Sequence, residues 1–139
     1  MKSKDIIKNN LKLFTDIFKT SPVLFANVYG SVAIDQAHLF SDLDIGIYVP
    51  KLSIREKMDL EMSLSLTIDK QLKGMFQSDV RVMNDLPFAV TGQILKEGIL
   101  IYCRDDEARI DYETSTRMAY FDFLPVIQHY QHMYLEQIQ

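Results

Sequence analysis

Cysteine is almost missing: the 139 residues hold one, Cys103. A single thiol excludes any disulfide within the chain and fits a reducing interior, so a cytoplasmic protein is expected. Positive charge is in the minority too, with 15 Lys and Arg against 19 Asp and Glu and a formal net charge of −4. Phosphate-backbone binding draws on dense Lys and Arg, so direct contact with nucleic acid is not expected. A modest acidic excess serves solubility and leaves room for a basic protein partner. Long apolar runs are absent as well. None approaches the roughly 18 residues that cross a bilayer, and the opening MKSKDIIKNNLKLF lacks the unbroken apolar core of a signal peptide. No repeat, low-complexity tract or Pro/Gly-rich linker divides the chain, so residues 1–139 are read as one domain.

What is present is the composition of an ordinary globular protein, 47% apolar and 24% charged. Ile6, Ile7, Leu11, Phe14, Ile17 and Phe18 recur at helical spacing and predict one amphipathic helix over 3–20, broken by Ser21-Pro22. VLFANVY (23–29) predicts a buried strand, and DLDIGIYV (42–49) a second, closed by Pro50. Ser53 with Glu56 three residues on has the pattern of a capping box. The stripe of Leu60, Leu64, Ile68 and Leu72 comes next, and Gly74 ends that helix. SDVRVM (78–83) predicts a third strand. Asn84 or Asp85 is expected to cap the next helix, with Pro87 in its first turn and Gly98 past its end. ILIYC (99–103) predicts a fourth strand, with Cys103 as a small core residue. Residues 106–139 read as a C-terminal helical segment that Pro125 kinks or breaks. The order predicts an α/β (α+β) domain, a sheet of about four strands flanked by helices. Spacing alone does not say whether those strands run parallel.

The chemistry concentrates between Tyr29 and Tyr48, YGSVAIDQAHLFSDLDIGIY. Asp42 and Asp44 stand at i and i+2 of a strand and leave the same face. Two like charges on one face are costly unless a cation lies between them, and Mg²⁺, hard and oxygen-seeking, suits them. Asp-x-Asp alone is common on surface strands. Gly30 and Ser31, ten residues upstream, add a point where backbone can approach a ligand, a hydroxyl and an N–H. If a helix starts just after them, its N-terminus also favours a phosphate. Gly-Ser, ten residues and Asp-x-Asp meet by chance in roughly one chain of this length in several hundred. Asp79, at the start of the third strand, supplies a third carboxylate that a neighbouring strand could bring to the other two. Such a set suits two-metal phosphoryl transfer. The plain alternative for Asp79 is an ion pair with Arg81 on the same strand face.

GSVAIDQAHLFSDLDIGIYV resembles the GSx10DxD signature of the DNA-polymerase-β-like nucleotidyltransferases, and the short chain resembles their minimal (MNT) branch. VRVMNDLPFAVTGQILKEGILIYCRDD is similar to the segment after the third strand in that group, so the likeness spans about Val23 to Asp106. The resemblance implies a nucleotidyltransferase-type mixed sheet and, of the MntA type, the antitoxin of an MNT/HEPN toxin–antitoxin pair. It further implies AMPylation: transfer of AMP from ATP to a tyrosine of a HEPN ribonuclease toxin, dependent on two Mg²⁺ ions, with the two proteins as a hetero-oligomer. Gly30 and Ser31 would hold the nucleotide phosphates, Asp42 and Asp44 both metals, and Asp79 one metal and the proton of the incoming hydroxyl. One departure stands out. Many members carry Arg after the Gly-Ser, whereas this chain reads Val32-Ala33-Ile34-Asp35, which leaves the triphosphate charge to metals, to Lys and Arg elsewhere, or to the partner.

Other features carry less. His129 and His132 are three apart on a helix but lack a third ligand, and His38 reads as a solvated loop residue. Most of the Tyr, Phe and Met of the C-terminal segment are expected to pack on the sheet, but Tyr120, Phe121, Phe123, Tyr130 and Tyr134 are more than one helix face can bury, which gives a partner surface as the second reading. Two further functions stay open: an antitoxin that blocks its partner by binding alone, and transfer to a small molecule, for which 139 residues leave little room for a substrate domain.

Overall fold

The computed structural model describes residues 2–36 and 42–138. One sheet runs in the order β3-β2-β1-β4, with β1 at Phe25–Tyr29, β2 at Asp42–Tyr48, β3 at Gln77–Val82 and β4 at Ile99–Cys103. β1 is antiparallel to β2 and β4, while β2 and β3 are parallel, so the sheet is mixed. Two short helices, α1 (Ser3–Asn9) and α2 (Leu11–Phe18), precede β1. The parallel pair is joined by the 18-residue α3 (Ile54–Gln71), since such a crossover needs a dozen residues or more. α4 (Phe88–Glu97) links β3 to β4, and α5 (Asp106–Ile138) comes last. Among the described residues no helix is long and apolar enough to cross a membrane.

The two faces of the sheet differ. On one, Leu43, Ile45 and Ile47 of β2 meet Ile7, Phe14 and Phe18 from α1 and α2, and Leu64 and Ile68 from α3. On the other, Phe25, Met83 and Ile94 are buried with Tyr48 and Tyr112 packed around them, beneath α4 and the first turns of α5. That second cover reaches only part of the way along the strands, and Asp42 and Asp44 lie beyond it. Gly46 marks the boundary, because a Cβ there would stand 2.6 Å from Cγ of Met83.

β3 is an edge strand with its edge capped from α3. Glu61, Ser65 and Asp69, spaced one turn apart, accept the outward N–H groups of Val82 (2.9 Å), Val80 (3.3 Å) and Ser78 (2.7 Å). The edge therefore offers no free donors at these positions to a stray strand. The capping box holds as read: Ser53 Oγ accepts from Glu56 N (3.1 Å) and Glu56 accepts from Ser53 N.

Several expectations need correction. The helix over 3–20 is two helices, because Asn10 leaves the helical region and its Nδ2 donates to the Ile6 carbonyl at 2.7 Å. Asn84 and Asp85 do not cap α4. Asn84 is engaged with the end of β2, exchanging bonds with Val49 O (2.8 Å) and Val49 N (3.2 Å), and Asp85 pairs with Lys57, so Pro87 takes the cap position. The condition of a helix starting just after Ser31 is not met, since residues 31–35 form turns. Cys103 is only part-buried and donates its thiol to Asp106 Oδ1 at 3.2 Å. α5 continues through Pro125 without a break, and most of its aromatics do not pack: Tyr120 fits over Gly92, but Phe121, Phe123, Tyr130 and Tyr134 are exposed. His38 lies outside the described residues.

Candidate active site

Tyr29, Asp44 and Asp79 are in-register partners on three neighbouring strands. Directly paired residues leave the same face, so the phenol and the two carboxylates stand in one row. Asp42, two residues before Asp44, shares that face at the strand mouth and is exposed, whereas Asp44 is half-buried. The parallel pairing of β2 and β3 is what brings Asp79 to Asp44. The three acids expected from the sequence therefore share one open end of one sheet face.

Gly30 sits at the end of β1 beside them, and glycine is required twice over. Its φ of +73° is left-handed, and a Cβ would stand 2.5 Å from Asp44 Oδ2. The turn that begins with Ser31 is closed by a bond of its own and pinned by two from α1. Gln36 N donates to Ser31 O (2.8 Å), Ser3 Oγ to Val32 O (3.0 Å) and Lys4 N to Asp35 Oδ1 (2.8 Å). Val32 and Ala33 are buried in the core.

The row is electrostatically tense. Burial pushes Asp44 above the usual carboxylate range, and the charges of Asp79 and then Asp42 push it further. The Tyr29 phenol is pushed up to about 12, first by burial and then by Asp44 and Asp79. Arg81, on the same face of β3, opposes both shifts and meets Asp79 Oδ2 through Nε at 3.2 Å. The ion pair weighed as the plain reading of Asp79 is thus real, and it coexists with the row.

Among the described residues no three Asp, Glu, His or Cys side chains close on a point as a ready cage for an ion. His132 pairs with Glu136 instead, at 2.9 Å. The donor set at the row nevertheless suits Mg²⁺: the donors are hard carboxylate oxygens, and their mutual repulsion is what a divalent cation reverses. Of the Asp79 carboxylate, Oδ2 is already engaged by Arg81. Sequence reading missed Tyr29, although its place next to Gly30 at a strand end was the signal, and it treated Arg81 only as a partner for Asp79. A groove of about 920 Å³ between α2 and α3 lies elsewhere and is lined by none of these residues.

The family model described as Polymerase beta, Nucleotidyltransferase matches residues 12–107. Among curated proteins none matches the chain in sequence. Solved structures share its fold, and three of them illustrate the likeness. A toxin–antitoxin structure with AMP-PNP aligns at a TM-score of 0.64 and 11% identity over 93% of this chain and 98% of that one. The tri-AMPylated Shewanella oneidensis HEPN toxin in complex with MNT antitoxin aligns at 0.60 and 11%, over 95% and 98%. A toxin–antitoxin MntA-HepT structure aligns at 0.59 and 11%, over 94% and 97%.

Proposed function

The chain belongs to the polymerase beta nucleotidyltransferase family, and from that premise we propose that it is the antitoxin of an MNT/HEPN pair. It acts as a cytoplasmic, Mg²⁺-dependent protein adenylyltransferase, moving AMP from ATP to a tyrosine hydroxyl of a HEPN ribonuclease toxin and so neutralising it. The observation that carries this reading is the register of Asp44 with Asp79 beside Gly30, at the open end of the sheet. The antitoxin role is supported by the shared fold of toxin–antitoxin structures, one with AMP-PNP and one with a tri-AMPylated toxin.

Gly30 and Ser31 hold the nucleotide's phosphates, with the missing Cβ of Gly30 leaving the backbone open to them. Asp42 and Asp44 would hold two Mg²⁺ ions and Asp79 one of these. When bound, the ions neutralise charge on the phosphoryl group in transfer. The acceptor's phenolic oxygen bonds to the α-phosphorus of ATP, the bond from that phosphorus to the β-phosphate's bridging oxygen breaks, and pyrophosphate leaves. Asp79 receives the phenolic proton. Positioning and charge carry most of such catalysis, so a small domain suffices.

The toxin docks on α5 to form a hetero-oligomer. Phe121 (70% exposed), Tyr130 (68%) and Tyr134 (65%) offer the kind of aromatic surface that interface cores use. That surface also favours a second reading, an antitoxin that works by cover alone. The test is to incubate the protein and its toxin with Mg²⁺ and ATP labelled at the α-phosphate. The toxin should gain label, and Asp42→Asn with Asp44→Asn should cut labelling roughly a hundredfold or more, because metal charge stabilisation is worth several kcal/mol. Full neutralisation of the toxin by that double variant, with no label transferred by wild type, would establish cover alone.

A further inference from the structure

Among the described residues, the turn after Gly30-Ser31 brings no Lys or Arg to the site. Val32 and Ala33 are core residues, and the Asp35 carboxylate is turned to α1, where it accepts from Lys4 N. A polyphosphate over this turn would face its own charge and that of three carboxylates. Among the described residues, one cation acts on Asp44, Asp79 and Tyr29 together, and it is Arg81.

Arg81 is placed for this. It lies two residues past Asp79 on the same strand face, with its side chain 57% exposed. Its in-register partner on β2 is Gly46, but Met83 fills the space above that glycine, so the guanidinium runs along its own strand to Asp79. It reaches Asp79 through Nε, a one-pronged contact by a group built for two. An exposed pair of this kind is weak and exchanges readily for a better acceptor.

We propose that Arg81 is the polyphosphate-binding cation of this chain, resting on Asp79 until a nucleotide phosphate takes it and thereby freeing the Asp79 carboxylate for metal. The inference rests on the nucleotidyl-transfer reading of the site. It gives Arg81 opposite effects on two ligands. Without nucleotide it competes with metal for Asp79; with nucleotide it strengthens binding.

The test uses two direct binding measurements on the full chain and needs no turnover: Mn²⁺ alone, followed by electron paramagnetic resonance, and α,β-methylene ATP with Mg²⁺, followed by calorimetry. Arg81→Gln should bind Mn²⁺ up to about fivefold more tightly, the range of an exposed ion pair. The same variant should bind the analogue about tenfold more weakly, the range of a charged hydrogen bond. In an Asp79→Asn background the gain in Mn²⁺ affinity should vanish; if it persists, Arg81 acts only as a general charge and the exchange is wrong. Unchanged analogue affinity in Arg81→Gln, or a loss in Lys2→Ala with Lys4→Ala instead, would overturn the assignment. The underlying reading fails separately, if Asp42→Asn with Asp44→Asn leaves binding of both ligands at wild-type strength.

Discussion

The two faces of the sheet obey different rules. On the face toward α1, α2 and α3, the side chains of β2 are Leu43, Ile45 and Ile47, each fully buried. On the other, the same strand offers Asp42, Asp44, Gly46 and Tyr48, and α4 and α5 cover only the Gly46–Tyr48 half. One face gains stability by burial. The other leaves negative charge only partly offset, by Arg81, at its open end, and that end is where the proposed chemistry lies. Folds of this kind keep strain where a ligand can relieve it.

The contrast can be broken from either side. The largest effect should come from the closed face: Ile45→Ala should cost about 2–5 kcal/mol in denaturant unfolding, while each folded molecule keeps its affinity for nucleotide. Equal loss of affinity would mean that the faces are not separable. Gly30→Ala comes next. A left-handed backbone and the contact with Asp44 Oδ2 should cost about 1–2 kcal/mol of stability. Transfer should fall roughly a hundredfold, because a carboxylate displaced by about 1 Å is enough. A variant with normal transfer would show that the close approach is not used.

The smallest effect is also the sharpest in sign. Asp44 has a raised pKa, from burial first and then from Asp79 and Asp42. Its favourable share of stability is therefore complete below its ordinary value of 3.8 and is lost as pH rises through the folded value. In chelator at neutral pH, Asp44→Asn should be more stable than wild type by up to about 1 kcal/mol, allowing for solvent screening. The gain should disappear below pH 3.8, and added Mg²⁺ should stabilise wild type more than the variant. A variant less stable than wild type in chelator would mean that Asp44 is not under repulsion.

The sequence carried the strands and the capping box because alternation and caps are local signals. β4 falls at 99–103 as its apolar run predicts, and β1 and β3 lie within two residues of expectation. Register is not local. That Asp79 faces Asp44 depends on β2 and β3 running parallel, and alternation is the same in either direction. Competing side chains were also invisible. Asn84 looks like a helix cap until Val49, 35 residues away, is seen to occupy it. Glu61, Ser65 and Asp69 cap the edge of β3, a role that nothing local to α3 signals. The α5 aromatics misled for a further reason: helical period says which side chains share a face, but not whether the helix has already run past the sheet. Nothing in the period marks that end.

The most direct measurement is a crystal structure of the chain with Mn²⁺ and α,β-methylene ATP, the metals located by anomalous scattering. The account predicts manganese peaks in contact with Asp42 and Asp44 and the phosphates over Gly30 and Ser31. Metal and nucleotide bound away from these residues, for instance in the groove between α2 and α3, would contradict it.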